Sequence, residues 1–527
     1  MRKDNETTHL EIGKVEITTV PTPENIKLLS GTYTYSGKVL ISYRTEQDID
    51  IPDFYNLAVQ NDDGTDFRVI FSGVIPTLPK ANGIRYMPYQ DNKRILLGDY
   101  VLECSPDIDS CTNATLVPVH YPSRIVEDPK TTHHWSEIII APDNEHMSWT
   151  ILRSDIGAAV AIGVLKRNAL TYVLENVQFI HTISNFGENP NHPGYLLPNP
   201  VRGGEVKQFI RGGNAISVVG GGGNSTPDSV VQELTSERLT PITRTPGYDE
   251  TTIFSPDERL GMVMSTRFSK LTDPAIFSLL PRPHATHTTM GMAWALYTYA
   301  VTGVREFRAG NIGPVLIDIE RSMNEEGYVG IPLTTDENWV YCSPMSWHPD
   351  SKRAMWPEIE RGSGGSRMRL QRVSLPDYKP GSTPPIARTT DDIPYGIKDL
   401  TVLEAANPNA HGKIKGKHSG FISYSRKSSG TIGVTEAQYR EYSDDGVNFY
   451  DGFEKTVSNL FGENRYEADV RLTGPKKGEM KLRATFSAVF GSEPLKLLFD
   501  PDSDGKPKSH GYAAYNGVTL DISDLIE

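Results

Sequence analysis

At 527 residues, with 37% hydrophobic and 23% charged residues, the chain has the makeup of a folded protein long enough for several domains or one large repeat domain. A formal net charge of −13 argues against nucleic acid as the main partner, because a phosphate backbone demands a basic surface. No apolar run is long enough to span a bilayer, so no membrane partner is expected.

The first 24 residues open polar, Met1-Arg2-Lys3-Asp4-Asn5, without the apolar core of a secretion signal. That start fits either a cytoplasmic protein or a secreted one whose signal has been cut away. From there helical periodicity is scarce, and short apolar runs recur between Gly, Pro, Asn and Asp clusters, as in an all-β chain. The segment "FYNLAVQNDDGTDFRVIFSG" (Phe54 to Gly73) reads as strand, Asp-Gly turn, strand. "RYMPYQDNKRILLGDY" (Arg85 to Tyr100) reads as a second hairpin. Cys104 and Cys111 then enclose a short polar loop that reads as a local disulfide, leaving Cys342 over. Sequons at Asn113 and Asn224 join that pair in favouring a secreted protein, with a cytoplasmic one as the alternative.

"IIIAPDNEHMSWT" (Ile138 to Thr150), "TIFSPDERLGMVMST" (Thr252 to Thr266) and "MSWHPDSKRAMW" (Met345 to Trp356) share one pattern: apolar strand, Pro-Asp turn, apolar strand. Proline presets the turn's φ and Asp bonds its own backbone, so Asp91, Asp143, Asp257 and Asp350 are expected to be turn residues. Two hairpins make a four-stranded sheet of about 45 residues, the size of a propeller blade. The units fall at 25–75, 76–125, 126–185, 195–245, 246–330 and 336–378, which predicts six blades, with seven as the alternative count. The 195–245 unit lacks the Pro-Asp turn. Its "VVGGGGN" has no Gly-Lys-Ser/Thr ending and reads as a strand connection rather than a phosphate loop.

Residues 379–408, "KPGSTPPIARTTDDIPYG" and its flanks, read as a linker or a strap along the propeller. Residues 409–527 alternate as amphipathic strands and predict a β-rich extension or small β-sandwich. The segments "NLAVQNDDGTDFRVIFSG" and "ELTSERLTPITRTPGYDETTIFSPDERLGMVMS" resemble the repeat of TolB-like β-propellers. The match is specific at Phe254-Ser255-Pro256-Asp257 and departs from that family where Glu258 replaces the usual glycine.

In a propeller, ligands usually bind where the innermost strands enter the central channel. Counting back from each turn Asp sends Arg85, His133, His134, Trp135, Glu137, Tyr248, Asp249, Glu250 and Tyr341 to that mouth. Aromatics can stack on a sugar ring while charged groups take its hydroxyls or a carboxylate. The long connection His181 to Glu205 adds His181, Glu188, His192 and Arg202 as candidates. His284 and His287 stand three apart in an insertion; without a second spaced pair they are weak metal candidates, and neither a metal nor a cofactor is expected. No Gly-x-Ser-x-Gly elbow is present, which weakens a serine-hydrolase reading.

"GDYVLECSPDIDSCTNATLVPVHYP" (Gly98 to Pro122), "HHWSEIIIAPDNEHMSW" (His133 to Trp149) and "EYSDDGVNFYDGFE" (Glu441 to Glu454) resemble the secreted fungal saponin hydrolases. That resemblance implies removal of a glucuronic-acid-bearing sugar chain from a triterpenoid saponin. Such a hydrolase needs two carboxyl groups and a cation for the uronate. Glu137 is expected as acid/base and Glu250 as its partner, with Asp249 in reserve and His134 orienting one of them. Arg85 or Arg202 would hold the uronate, with Trp135, Tyr248, His181, Glu188 and Tyr341 around the sugar. Two rivals are a uronate polysaccharide lyase using His and Arg groups, and a non-catalytic carbohydrate- or protein-binding propeller.

Overall fold

The computed structural model describes residues 11–76, 86–133, 136–154, 156–220, 227–268, 274–283, 312–404, 409–429, 431–493 and 495–526. Nearly all of its regular structure is antiparallel β, and residues 16–374 form six meander sheets. Sheet 1 runs Lys27–Tyr33, Val39–Arg44, Phe54–Gln60 and Arg68–Val74. Sheet 2 runs Tyr86–Pro88, Arg94–Leu97, Tyr100–Ser105 and Asn113–His120. Sheet 3 begins at Ile138–Ile140 and continues through His146–Arg153, Gly157–Arg167 and Tyr172–Ile180. Sheet 4 runs Glu205–Ile210, Ala215–Gly220, Asp228–Glu233 and Leu239–Pro241. Sheet 5 runs Asp249–Phe254, Leu260–Ser265, Gly313–Asp318 and Ile331–Pro332.

Sheet 6 is closed by the start of the chain. Ser346–Trp347, Arg353–Glu360 and Met368–Ser374 are followed on the outer edge by Glu16–Val20, which pairs antiparallel with Met368–Ser374. A strand within the first 24 residues is therefore part of the ring, a long-range pairing that local pattern does not reveal.

Alternation along each strand puts apolar residues on both faces, so every sheet must be covered on both sides. Six seams do this. Leu57 and Ile70 of sheet 1 pack with Ile95 and Leu102 of sheet 2; Leu96 and Val117 pack with Trp149 and Ile151 of sheet 3; Val160 and Ile162 pack with Val206 and Val218 of sheet 4. Ile210 and Val231 pack with Phe254 and Val263 of sheet 5, and Met262 and Leu316 with Trp347 and Trp356 of sheet 6. Met355 and Leu370 pack back onto Leu28 and Ile41 of sheet 1. The ring is closed, and each such buried side chain stabilises it by roughly 1.5–3 kcal/mol.

The turn carboxylates are scaffold, as their chemistry predicts. Asp91, Asp143 and Asp350 accept from the backbone N–H two residues on, at 2.8, 2.9 and 2.8 Å. The next residue is left-handed in all four turns: Asn92, Asn144, Glu258 and Ser351 have φ of 56, 63, 56 and 57°. Glu258 thus occupies a conformation that glycine would adopt more cheaply.

Residues 379–404 cross these turns as a strap. Gly381 N donates to Asp257 Oδ2 at 2.9 Å, Ala387 N to Gly212 O at 2.9 Å, and Thr389 N to Asp143 Oδ2 at 2.9 Å. Gly212 (φ 65°) allows this passage, since a Cβ there would collide with Pro385 O. Ile397 then bridges Phe179 on the outer strand of sheet 3.

The C-terminal region forms one ten-stranded sheet rather than a sandwich of two. Its first two strands, Phe186–Glu188 and Tyr195–Pro198, come from the connection between sheets 3 and 4. Its buried face packs on Ile276, Phe277, Leu279 and Leu280, from the insertion between the second and third strands of sheet 5. In a meander both connections leave from the end at which the innermost strands begin. The C-terminal sheet is therefore attached at the mouth of the channel, opposite the strap.

Candidate functional site

First strands of neighbouring sheets lie against one another around the ring, so their early residues converge on the channel. The innermost strand of sheet 4 carries a bulge between Val206 and Gln208, which leaves Lys207 as the extra residue. That of sheet 5 is irregular between Asp249 and Thr252, a stretch that contains Glu250. A bulge re-aims a side chain that strict alternation would send into the next seam. Val206 and Phe209 stay in a seam while Lys207 is freed from it.

Lys207 is the centre of the site. Its Nζ lies 3.0 Å from Glu137 Oε2, 3.1 Å from Glu205 Oε2 and 3.6 Å from Glu250 Oε1. The lysine side chain is 1% exposed and the three carboxylates 18, 12 and 9%. Burying an ammonium demands paired anions, and three sheets supply them. Among the described residues, three carboxylates thus face the one ammonium.

Hydrogen bonds fix this arrangement from both sides. Val206 N donates to Thr150 Oγ1 of sheet 3 at 3.0 Å, and Ser136 Oγ donates to the same oxygen at 3.4 Å. Gln208 Nε2 donates to Phe254 O at 3.3 Å, while Phe254 N donates to Gln208 Oε1 at 2.7 Å. The residues flanking Lys207 are thus tied to sheets 3 and 5, by the Val206 backbone on one side and the Gln208 side chain on the other.

Of the residues predicted for the mouth, Glu137 and Glu250 meet there. Asp249 does not join them: it is fully buried, paired with Arg267 Nη2 at 2.8 Å and accepting from Thr245 Oγ1 at 2.9 Å. Tyr248 and Tyr341 lie in the seam of sheets 5 and 6, 0 and 1% exposed. Both rings are packed in that seam. Glu188 is exposed on a strand of the C-terminal sheet.

Arg202 stacks its guanidinium 3.9 Å from the Tyr395 ring centroid and donates from Nη2 to Glu237 O at 2.9 Å. It is engaged away from the Lys207 cluster. His181 is half-buried where the outer strand of sheet 3 ends, its Cα against Gly203. His133 is buried, with Nε2 3.5 Å from Asp99 Oδ1 and its ring edge-on to Tyr121 at 5.2 Å. Arg85, His134, Trp135, His284 and His287 lie outside the described residues. Among the described residues no group of three or more His, Cys, Asp or Glu side chains is arranged to hold a metal ion.

Sequence reasoning missed Lys207 and Glu205. They lie in the unit without a Pro-Asp turn, so nothing anchored the count there. The available signal was "EVKQFI", in which an acid and a lysine two positions apart stand in an inner strand beside Val206, Phe209 and Ile210.

No family model and no curated protein matches the chain. Solved structures that resemble it include a putative TolB from Agrobacterium tumefaciens, at 12% identity, covering 60% of this chain and 90% of that one, TM-score 0.30. An oligogalacturonate lyase in complex with manganese covers 68% and 93% at 9% identity, TM-score 0.35. A putative 6-phosphogluconolactonase from Bacteroides fragilis covers 68% and 97% at 9% identity, TM-score 0.31. At these scores the likenesses transfer neither an activity nor a residue's role, so the chemistry has to be argued from the side chains.

Proposed function

We propose that the protein is a six-bladed β-propeller glycoside hydrolase whose catalytic carboxylates are Glu137 and Glu250. The observation that carries this reading is the shared Lys207 ammonium. A glycosidase needs one ionised carboxylate and one carboxyl that can hand over a proton, on either side of the scissile bond. Glu137, at 3.0 Å from the ammonium, is the better held as an anion and is assigned as nucleophile or base; Glu250, at 3.6 Å, is assigned as the proton carrier. Because both oxygens touch one Nζ, they stand no more than about 6.6 Å apart, which favours the short-separation, retaining class.

Of the two cations the glucuronide reading named, Arg202 is committed to Tyr395 and Glu237, and Arg85 lies outside the described residues. The substrate proposed is a glycoside, neutral or uronic at the cleaved sugar. A secreted location is proposed with it: Cys104 and Cys111 are bonded and Asn113 is exposed, as suits an oxidising compartment.

A panel of neutral and uronic aryl glycosides tests the reading. Glu137→Gln and Glu250→Gln are each expected to lower kcat by about 10²–10⁴, and azide is expected to restore turnover in Glu137→Ala. Wild-type protein that cleaves none of the panel, or variants that cleave it unchanged, would return the protein to the non-catalytic binding class.

A further inference from the structure

The solvent face of the C-terminal sheet contains a groove of about 890 Å³, a volume in the range of small-molecule sites. Its floor follows from the strand register. Tyr195, Lys413, Ser423, Gln438 and Phe453 are direct cross-strand partners on five successive strands. Four inter-strand spacings make this rung about 19 Å long, room for roughly four sugar rings end to end. His411, Ser425, Glu436 and Lys455 form the next rung.

Each end of the first rung is aromatic and the middle is polar. Phe453 is 39% exposed, although the sheet keeps its apolar residues on the other face. Ser423 and Gln438 between the rings offer hydroxyl and amide groups. That combination suits rings with apolar faces and hydroxylated edges.

The charges are lopsided. Lys413 Nζ lies 4.7 Å from the Phe421 ring centroid, and Arg440 stands over the same ring at 5.9 Å. Lys415 is Phe421's cross-strand partner. Against Lys413, Lys415, Arg440 and Lys455 the face sets Glu436, which pairs with Lys455 at 2.6 Å, and Asp451, two positions before Phe453 on the same strand. Past Phe453 and Lys455 the rungs turn acidic, with Asp469 and Glu467, so the basic stretch ends where the groove does.

We infer that this groove is a second binding site, independent of the channel, for an acidic oligosaccharide of about four residues. The rings of Tyr195 and Phe453 hold the two ends of the chain by stacking, and Lys413 takes a carboxylate between them.

The test is calorimetry on the full chain carrying Glu137→Gln, with a linear hexuronate tetramer and a neutral hexose tetramer of the same linkage. The expected result is saturable binding of one hexuronate tetramer per chain, weakening as salt is raised. Phe453→Ala and Lys413→Gln should each reduce that affinity by about tenfold with unchanged circular dichroism, since both side chains are at the surface. Absence of saturable binding at millimolar hexuronate, or affinity unmoved by both substitutions, overturns the site. Equal affinity for the neutral tetramer, with Lys413→Gln silent, overturns the acidic assignment. Tight binding of an acidic peptide with neither sugar bound overturns the carbohydrate assignment. None of these outcomes depends on turnover at Glu137 and Glu250, so the two readings fail separately.

Discussion

Lys207 Nζ lies 3.0 Å from Glu137 Oε2 although 70 positions separate the two in the chain. The contact crosses from sheet 4 to sheet 3, and the same ammonium reaches Glu205 and, in sheet 5, Glu250. One cation therefore joins three sheets. Replacing it leaves three largely buried carboxylates facing one another, so Lys207→Met is expected to cost about 3–5 kcal/mol. Urea midpoints measure this. Adding Glu205→Gln to Lys207→Met should recover part of the loss, because it removes one of the stranded charges; a double variant no more stable than Lys207→Met would show that the carboxylates are not stabilised by this lysine.

Asp249, one residue from Glu250, has a different task. Arg267 and Asp249 are 2 and 0% exposed, and Thr245 and Ser265 complete the carboxylate's hydrogen bonds. Asp249→Asn should destabilise by about 3–5 kcal/mol, the usual cost of leaving a buried charge unpaired. Thermal melts followed with the aryl glycoside assay separate the two roles: the melting temperature should fall while kcat at low temperature stays within about twofold of wild type. A hundredfold loss of kcat with an unchanged melt would instead place Asp249 in the chemistry.

How much of this was legible depended on how local the determining physics is. Phe254-Ser255-Pro256-Asp257 announced its hairpin because proline, Asp and the left-handed residue after them act within four positions. Counting back from such turns singled out Glu137 and Glu250, which the structure brings to one lysine. It also promoted Tyr248 and Tyr341, which the seam takes instead, because one step in a strand exchanges faces and the irregular stretch after Asp249 was invisible. Lys207 had no turn to count from. The closing of sheet 6 by Glu16–Val20 and the entry of Tyr195–Pro198 into the C-terminal sheet were hidden for the same reason: both depend on partners hundreds of residues away.

The strap should be sensitive to acid through Asp143. Burial works against this carboxylate's charge, but hydrogen bonds from the His146 ring, the His146 and Glu145 backbone and Thr389 N outweigh it and hold its pKa well below the usual range. A carboxyl whose folded pKa is depressed stabilises fully above its unfolded pKa, near 4, and loses that contribution as pH falls through the folded value. Asp143→Asn should therefore cost about 2 kcal/mol near neutral pH and progressively less below about pH 4. Urea midpoints of both proteins from pH 7 down to pH 2 read the gap. A gap constant across that range would mean the ionised carboxylate is not what holds the strap.

Arg282 and Glu454 fasten the sheet 5 insertion to the C-terminal sheet. Each is 1% exposed, with Arg282 Nε 3.2 Å from both carboxylate oxygens. Burial alone would pull the guanidinium pKa down; the Glu454 carboxylate and the Tyr466 and Tyr439 phenols outweigh it and leave it raised. Arg282 Nη1 also donates to Phe277 O and Leu280 O at 2.8 Å, so the same side chain holds the insertion's backbone in its turn. Glu454→Gln keeps the volume but strips the guanidinium of its counter-charge, and is expected to cost about 3–5 kcal/mol. Arg282→Met with Glu454→Leu should cost less than either single change, since no charge is left stranded. Limited proteolysis across 274–283 provides the local readout: cleavage there should accelerate in Glu454→Gln and Arg282→Met while the strap at 379–404 is cut at the wild-type rate. Acceleration at both places would mean that the pair supports the whole fold rather than the docking of this insertion.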